Sequence, residues 1–260
     1  MKSKIGISFS SRNRPDTLDI CLTQLFRQLS AHQYEYHIAV VKDLGDPAFD
    51  PLYEEIKNKF PVVHWTMPDQ RLGIAKIKNL GLKVLKDCQC DHFFLFDDDV
   101  FPVRLGWEEL YISLARDNNV HHFMHQFPLP SGFSPEKTAN GICEYAECCG
   151  MLLYFTKHAI ELLGGYRKDF GIYGYEHAEI SGRCHFAGLQ GGWGPYISPE
   201  RTREFIYSLD LELNHWGTQP PDFEITPDKW RSSIQGEDVH EHIAYNAQFF
   251  GTPEYIFEEI

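Results

Sequence analysis

Apolar positions along the first hundred residues come in short blocks that switch between two spacings. Residues 5–9 form an unbroken apolar-rich run, followed by the polar, basic stretch Ser10-Ser11-Arg12-Asn13-Arg14-Pro15. This predicts a buried strand leading into a loop. Asp16-Thr17 then precede Leu18, Cys21, Leu22, Leu25, Phe26 and Leu29, which recur at intervals of three and four. That is one face of a helix, with Asp16-Thr17 as its expected cap. The alternation continues with a strand at 36–41 that ends in Lys42-Asp43, a helix at 51–60 and a short strand at 62–65. A helix follows at 73–85, with Ile74, Ile77, Leu80 or Gly81, and Val84 as its expected buried face. A fourth strand lies at 93–96. Strand, loop and helix repeated in this order predict a parallel, doubly wound sheet.

After residue 102 the pattern loosens. Helices are predicted at 107–116, 156–163 and 176–187, and strands at 121–127 and 151–155. Gly164-Gly165 closes the second of these helices, and 169–175 is a loop rich in glycine and aromatics. With no internal repeat, low-complexity segment or linker, the second half is expected to extend the same sheet, so 1–260 reads as one domain.

The sharpest feature is Phe93-Phe94-Leu95-Phe96-Asp97-Asp98-Asp99-Val100-Phe101-Pro102. Four apolar residues predict a strand buried on both faces, and three carboxylates end it. Such a strand delivers acids to the carboxyl edge of the sheet, where open α/β folds bind ligands. Clustered oxygen donors suit a hard cation, Mg²⁺ or Mn²⁺, and such ions commonly sit beside phosphates.

Composition narrows the function further. The formal net charge is −13, which argues against non-specific nucleic-acid binding because that rests on cationic patches. At 43% hydrophobic residues the chain can fill a core. The seven cysteines are odd in number, and Cys88-Gln-Cys90 has no second pair at zinc-finger spacing, so reduced thiols in a cytoplasmic setting are expected. No apolar stretch is long enough to predict a signal peptide or a membrane span.

In their order and spacing, these motifs resemble the GT-A glycosyltransferases, and among them the β1,4-galactosyltransferase-like and family 2-like enzymes, over roughly residues 5 to 216. The resemblance implies a GT-A (Rossmann-like) mixed, mostly parallel sheet flanked by helices. It makes 1–102 a nucleotide-binding half and 103–260 an acceptor-binding half with a C-terminal tail. Arg12-Asn13-Arg14 looks like the loop that holds the nucleotide diphosphate, where guanidinium groups can grip phosphate oxygens in pairs. Asp43 is similar to the acid that reads the nucleobase. Ala75-Lys76-Ile77-Lys78-Asn79-Leu80-Gly81 resembles a family helix on which Lys78 and Asn79 would face the nucleotide. Asp97-Asp98-Asp99 matches the family's Asp-x-Asp: Asp99 would ligate the metal, Asp97 would contact ribose or a metal-bound water, and Asp98 would lie with them in the donor site.

Downstream, Gly164-Gly165-Tyr166 and Tyr173-Gly174-Tyr175-Glu176-His177-Ala178-Glu179 resemble the acceptor-side segment whose Glu-Asp pair contains the general base. Here the Asp position carries His177, so Glu176 is the first candidate, His177 the second and Glu179 a third. Glu212-Leu213-Asn214-His215 falls where the remaining metal ligands are expected, which gives His215 that role. Tyr173, Tyr175, Trp193 and Trp216 are candidates to stack on a sugar. His240-Glu241-His242 reads as surface.

The resemblance therefore implies an inverting, Mn²⁺- or Mg²⁺-dependent transfer from a nucleotide sugar, UDP-linked, to a hydroxyl on a glycan, a protein or a modified base in viral DNA. Two other classes stay open. A nucleotidyltransferase shares the acidic sheet edge but needs a glycine-rich phosphate loop, which Ser10-Ser11-Arg12-Asn13-Arg14 lacks. A non-catalytic nucleotide-sugar-binding protein is kept open by His177.

Overall fold

The computed structural model describes residues 2–125, 137–144, 150–190, 195–197, 204–209, 240–248 and 257–260. In chain order its elements are β1 (Lys4–Ser11), α1 (Pro15–Arg27), β2 (Glu35–Lys42), α2 (Asp50–Lys59), β3 (His64–Thr66), α3 (Ile74–Asp87), β4 (His92–Asp97), β5 (Val100–Pro102) and α4 (Trp107–Asn118). There follow β6 (His122–Met124), β7 (Lys137–Ala139), β8 (Ile142–Glu144), β9 (Leu152–Thr156), α5 (Lys157–Leu163), α6 (Glu176–Phe186), β10 (Pro195–Ile197), β11 (Ile206–Ser208) and α7 (His240–Ala247).

Nine strands form one mixed sheet in the order β3-β2-β1-β4-β9-β6-β10-β8-β7. The first four run parallel, so their carboxyl ends share one edge. β9 then pairs antiparallel with β4, and the sheet continues mixed beyond it. β5 leaves the main sheet and pairs with β11 in a separate two-stranded ribbon. That departure turns the chain sharply at Asp98-Asp99, between two apolar strands.

The two faces of the sheet build two cores. Ile5, Ile7 and Phe9 of β1 and Phe94 and Phe96 of β4 face α1, α2 and α4. Phe93 and Leu95 face α3, α5 and α6. This period-two alternation within an all-apolar run is what a strand covered on both faces requires. Phe94 meets Trp107, Tyr111 and Tyr154 at ring-centroid distances of 4.8, 5.5 and 4.9 Å. Each such aromatic pair adds about 0.5–1.5 kcal/mol beyond area burial.

Two local expectations are corrected. Helix α1 begins at Pro15, a residue suited to a first helical position, and its cap position is Arg14. Thr17 does not cap; its hydroxyl donates back to the Arg14 carbonyl at 3.0 Å. On α3 the buried residues are Ala75, Ile77, Lys78, Asn79, Gly81, Leu82 and Leu85, while Ile74, Leu80 and Val84 are only partly covered. The apolar periodicity was misleading because two polar side chains, Lys78 and Asn79, occupy the buried face. Gly81 lets α3 approach β1 closely, since a Cβ there would fall 2.0 Å from Ser8 Oγ.

Two buried histidines make stability depend on pH. His122 Nδ1 lies 2.9 Å from the Tyr154 carbonyl and Nε2 lies 2.8 Å from Ser181 Oγ, while His125 Nδ1 meets Tyr111 Oη at 3.0 Å. Burial pushes His122 down to about 4 and His125 down to about 3. In the unfolded chain both titrate near 6.5, so the unfolded state takes up more protons below that pH. Their contribution is present above pH 6.5 and is lost as pH falls toward the folded values. The expected slope is up to about 1.4 kcal/mol per pH unit for each histidine. Urea unfolding at pH 7 and pH 5 measures it. The midpoint should drop at pH 5, and His122→Asn should make the dependence shallower by about one proton. An equal slope in that variant would rule out His122 as a source.

Candidate active site

The carboxyl ends of β1, β2 and β4 converge with the start of α3 and the loop before α6. At the end of β4 the three acids separate. Asp98 is fully buried, whereas the Asp97 and Asp99 side chains are 26% and 15% exposed. The turn at Asp98-Asp99 that ends β4 thus leaves Asp97 and Asp99 partly open to solvent and buries Asp98.

Arg14 meets the inward acid. Its guanidinium pairs with Asp98 and donates to Asp99 Oδ2 at 2.8 Å. Burial of the guanidinium opposes its charge, but Asp98, Asp99 and Asp97 together hold its pKa above the ordinary value. Burial likewise raises the Asp98 carboxyl, against the lowering effect of Arg14. Arg14 and Asp98 form a buried pair that sets the acidic turn. Tyr53 supports the same loop, accepting from the Arg14 backbone N–H at 3.1 Å and sharing a 2.8 Å hydrogen bond with Ser11. Half-buried Arg12 lies nearer the surface, its Nε donating to the Leu44 carbonyl at 2.9 Å.

Asp43 is fully buried and accepts from the backbone N–H groups of Leu44, Leu72 and Gly73 at 2.9, 2.9 and 3.0 Å, and from Arg71. A carboxylate has about four acceptor sites, and four donors fill them. It holds residues 71–73 against the end of β2. Gly73 has φ +84°, and a Cβ there would sit 2.6 Å from Ile172 Cα. The Ile74 N–H donates to the Ile172 carbonyl at 3.0 Å. Asp43 thus fixes the start of α3, which in turn holds the loop leading to α6.

Lys78 and Asn79 part company on α3. The Lys78 ammonium is buried between Asp97 Oδ1 at 2.8 Å and the Gly150 carbonyl at 3.2 Å. Asn79 instead clamps the Tyr166 backbone, donating to its carbonyl and accepting from its N–H, both at 2.7 Å. Asn79 thereby holds the turn that follows α5.

The acceptor-side candidates lie next to the acids. The His177 ring packs directly on Gly150, the residue whose carbonyl takes Lys78. His177 Nε2 stands 3.3 Å from Glu176 Oε1, and Glu176 is 1% exposed. Among the described residues neither Glu176 Oε1 nor His177 Nδ1 has a hydrogen-bond partner. Buried polar atoms are rarely left unpaired, so this pair stands ready for a hydroxyl. Glu179 is engaged elsewhere: it pairs with Arg183 at 2.7 Å, and Arg183 also donates to the Leu163 and Gly165 carbonyls. That removes it as a base. The loop before Glu176 is held by Asn246 of α7, which accepts from the Gly171 N–H at 2.8 Å and donates to the Tyr173 and Gly174 carbonyls at 3.0 and 2.8 Å. Nothing in the sequence pointed to Asn246, Tyr53 or Arg71. His215, Trp193 and Trp216 lie outside the described residues, as do the side chains of His240 and His242.

Asp97 and Asp99 are hard oxygen donors. Three carboxylates against Arg14 and Lys78 leave one net negative charge at the turn. This donor set fits Mg²⁺ or Mn²⁺, with other ligands left to phosphates, water or further residues.

A four-stranded parallel half with acids at the end of β4, continued by an antiparallel strand and an acceptor-side helix, is the GT-A glycosyltransferase fold. Solved structures agree. The mannosyltransferase PcManGT from Pyrobaculum calidifontis, in complex with GDP-Man and Mn²⁺, superposes with a TM-score of 0.57 at 13% identity, covering 76% of this chain and 55% of that one. GalNAc-T7 with UDP, GalNAc and Mn²⁺ gives 0.57 at 14% identity, over 76% of this chain and 42% of that one. TarS of S. aureus gives 0.55 at 11% identity, over 80% and 36%. At these identities the likeness is one of fold. In sequence, the chain is 28% identical over 138 residues to an uncharacterized glycosyltransferase, R363, of Acanthamoeba polyphaga mimivirus, spanning 51% of this chain and about half (52%) of that relative. No protein-family model matches. The comparisons do not single out the galactosyltransferase-like subgroup.

Proposed function

We propose that the chain, as one catalytic domain, is a metal-dependent glycosyltransferase that moves a sugar from a nucleotide-sugar donor, UDP-linked, to an acceptor hydroxyl with inversion. One observation carries this reading: Gly150 joins Lys78 and Asp97 on one side to His177 and Glu176 on the other. Acids suited to a leaving-group site and a buried carboxylate beside an imidazole are thereby brought close together.

Asp97 and Asp99 would hold Mn²⁺ or Mg²⁺, with His215 proposed as a further ligand. When bound, the ion supplies positive charge against the diphosphate. Arg12, at the mouth of the first loop, adds a cation for the same oxygens. Lys78 orients Asp97 through its 2.8 Å contact. Glu176 takes the proton of the acceptor hydroxyl as its oxygen bonds to the anomeric carbon. The bond from that carbon to the diphosphate oxygen breaks, and the diphosphate leaves with the electron pair. His177 orients Glu176 or the hydroxyl. Tyr173 and the exposed Tyr175, in the loop before Glu176, are proposed to stack on a sugar.

The acceptor is a hydroxyl on a glycan, a protein or a modified base; the net charge of −13 disfavours the last. No helix among the described residues is long and apolar enough to cross a membrane. A cytoplasmic setting is part of the proposal.

Asp99→Asn tests the ion site. It keeps an acceptor for Arg14 while removing one charge. Mn²⁺-dependent binding of nucleoside diphosphate, measured by calorimetry, should fall at least tenfold with the thermal midpoint nearly unchanged. Wild-type affinity in a folded Asp99→Asn variant would refute the ion site. Donor hydrolysis without acceptor separates a transferase from a protein that only binds nucleotide sugars.

A further inference from the structure

A second cluster of donors lies away from the acids, where the C-terminal end of α3 comes down beside β2 and β3. His37, His64 and Cys88 each offer a ligand atom, and these atoms all lie within 4.8 Å of one another. The backbone explains the meeting. His64 is in register with Ala39, and His37 lies two residues before Ala39 on the same strand. Both imidazoles therefore share the sheet face that α3 covers. Cys88 caps the last turn of α3 and completes the triangle.

We propose that His37, Cys88 and His64 bind a zinc ion that ties the edge strand β3 to the end of α3. Two imidazoles and a thiolate are borderline-to-soft donors, which suit Zn²⁺ and not the Mn²⁺ or Mg²⁺ fitted by the carboxylates of the acidic turn. Tetrahedral ligand atoms around zinc stand roughly 3.5 Å apart, given bond lengths of about 2.0–2.3 Å. Side-chain adjustments of about an ångström close the present triangle. His37 and Cys88 are half-buried and His64 is exposed, so an ion can enter and a water completes the set. Glu35 supports the arrangement from outside it. Its Oε1 lies 3.0 Å from His37 Nε2, and a carboxylate behind a ligand histidine fixes the tautomer that offers the other ring nitrogen. The cysteine spacing did not reveal this site because its ligands come from β2, β3 and α3, each contributing one.

Among the described residues β3, a three-residue strand, closes that edge of the sheet. An ion held there would brace α3, the helix that carries Lys78. The site is independent of the transfer reaction and can exist whether or not the proposed function is right.

Cobalt(II) distinguishes it from the carboxylate site, because only a thiolate ligand gives an intense sulfur-to-cobalt charge-transfer band. The reduced, chelator-treated full chain should develop that band with one equivalent of Co²⁺ and lose it when Zn²⁺ is added. His64→Gln, at an exposed position, should weaken Co²⁺ binding at least tenfold without unfolding. Cys88→Ser should abolish the band, whereas Asp99→Asn should leave it unchanged. Absence of the band in the wild-type chain, or its persistence in Cys88→Ser, would overturn the proposal.

Discussion

Replacing Glu176 with Gln is expected to slow sugar transfer by roughly 10²-fold or more, the scale of general-base catalysis, while donor affinity stays near wild type. Glutamine keeps the size and hydrogen bonding of the side chain and removes only the proton acceptor. A group that acts in the chemical step alone lowers kcat without changing donor binding. Glu176 is 1% exposed, so little water is present to substitute for it. His177→Asn should be milder, acting chiefly on acceptor KM, because the imidazole stands 3.3 Å behind the carboxylate. Steady-state transfer assays at varied donor and acceptor concentrations decide the ranking. The reverse order would make His177 the base. Near-wild-type transfer in both variants would exclude this inverting scheme, and Glu179 could not rescue it, since it is committed to Arg183.

The largest effect on stability is expected at Arg14. Arg14→Met leaves Asp98 without its partner in the interior, and breaking a buried ion pair in this way costs about 3–5 kcal/mol. Arg14→Lys should recover only part of the loss, because one ammonium cannot reach Asp98 and Asp99 as the guanidinium fork does. The pH dependence identifies the cause. Burial raises the Asp98 carboxyl, and removing Arg14 takes away the chief opposing influence. A carboxyl raised in the folded state contributes stability that is present below its unfolded value, near 4, and is lost as pH rises through its folded value. Asp98 in the wild-type fold is already raised to about 7, so the deficit of Arg14→Met should grow as pH rises above that value. Urea titrations below and above it measure the change, and a pH-independent deficit would point to lost packing instead.

The strand-rich first half was legible because its apolar blocks are short, regular and bounded by polar loops. Phe93 to Asp99 announced both a doubly covered strand and an acidic sheet edge. The antiparallel turn of the sheet at β9 was not legible, since 152–156 reads the same whichever way it pairs. Roles within the site were harder to read than membership in it. Arg14, Asp43 and Asn79 are all near the acids, but their partners lie 84, 30 and 87 residues away. A linear pattern cannot show whether a polar side chain faces a ligand or a distant stretch of its own backbone. The same cause shifted the predicted face of α3: burial of Lys78 and Asn79 is driven by Asp97 and Tyr166, not by hydrophobicity.

The bonds from Asn246 to Gly171, Tyr173 and Gly174 carry a consequence for the order of assembly. They join residues 72 to 75 positions apart. Close by, Glu258 pairs with the turn that closes α5, exchanging backbone bonds with Leu163 and Gly165. A chain emerging from the ribosome can form the β1 to β4 core, with its acidic turn, long before these late segments exist. The loop that presents Glu176 receives its clamp only after residue 246 has been made. Contacts of such long range form late, so a nascent chain passes through a stage in which the acidic turn is built and the loop before Glu176 is still unclamped.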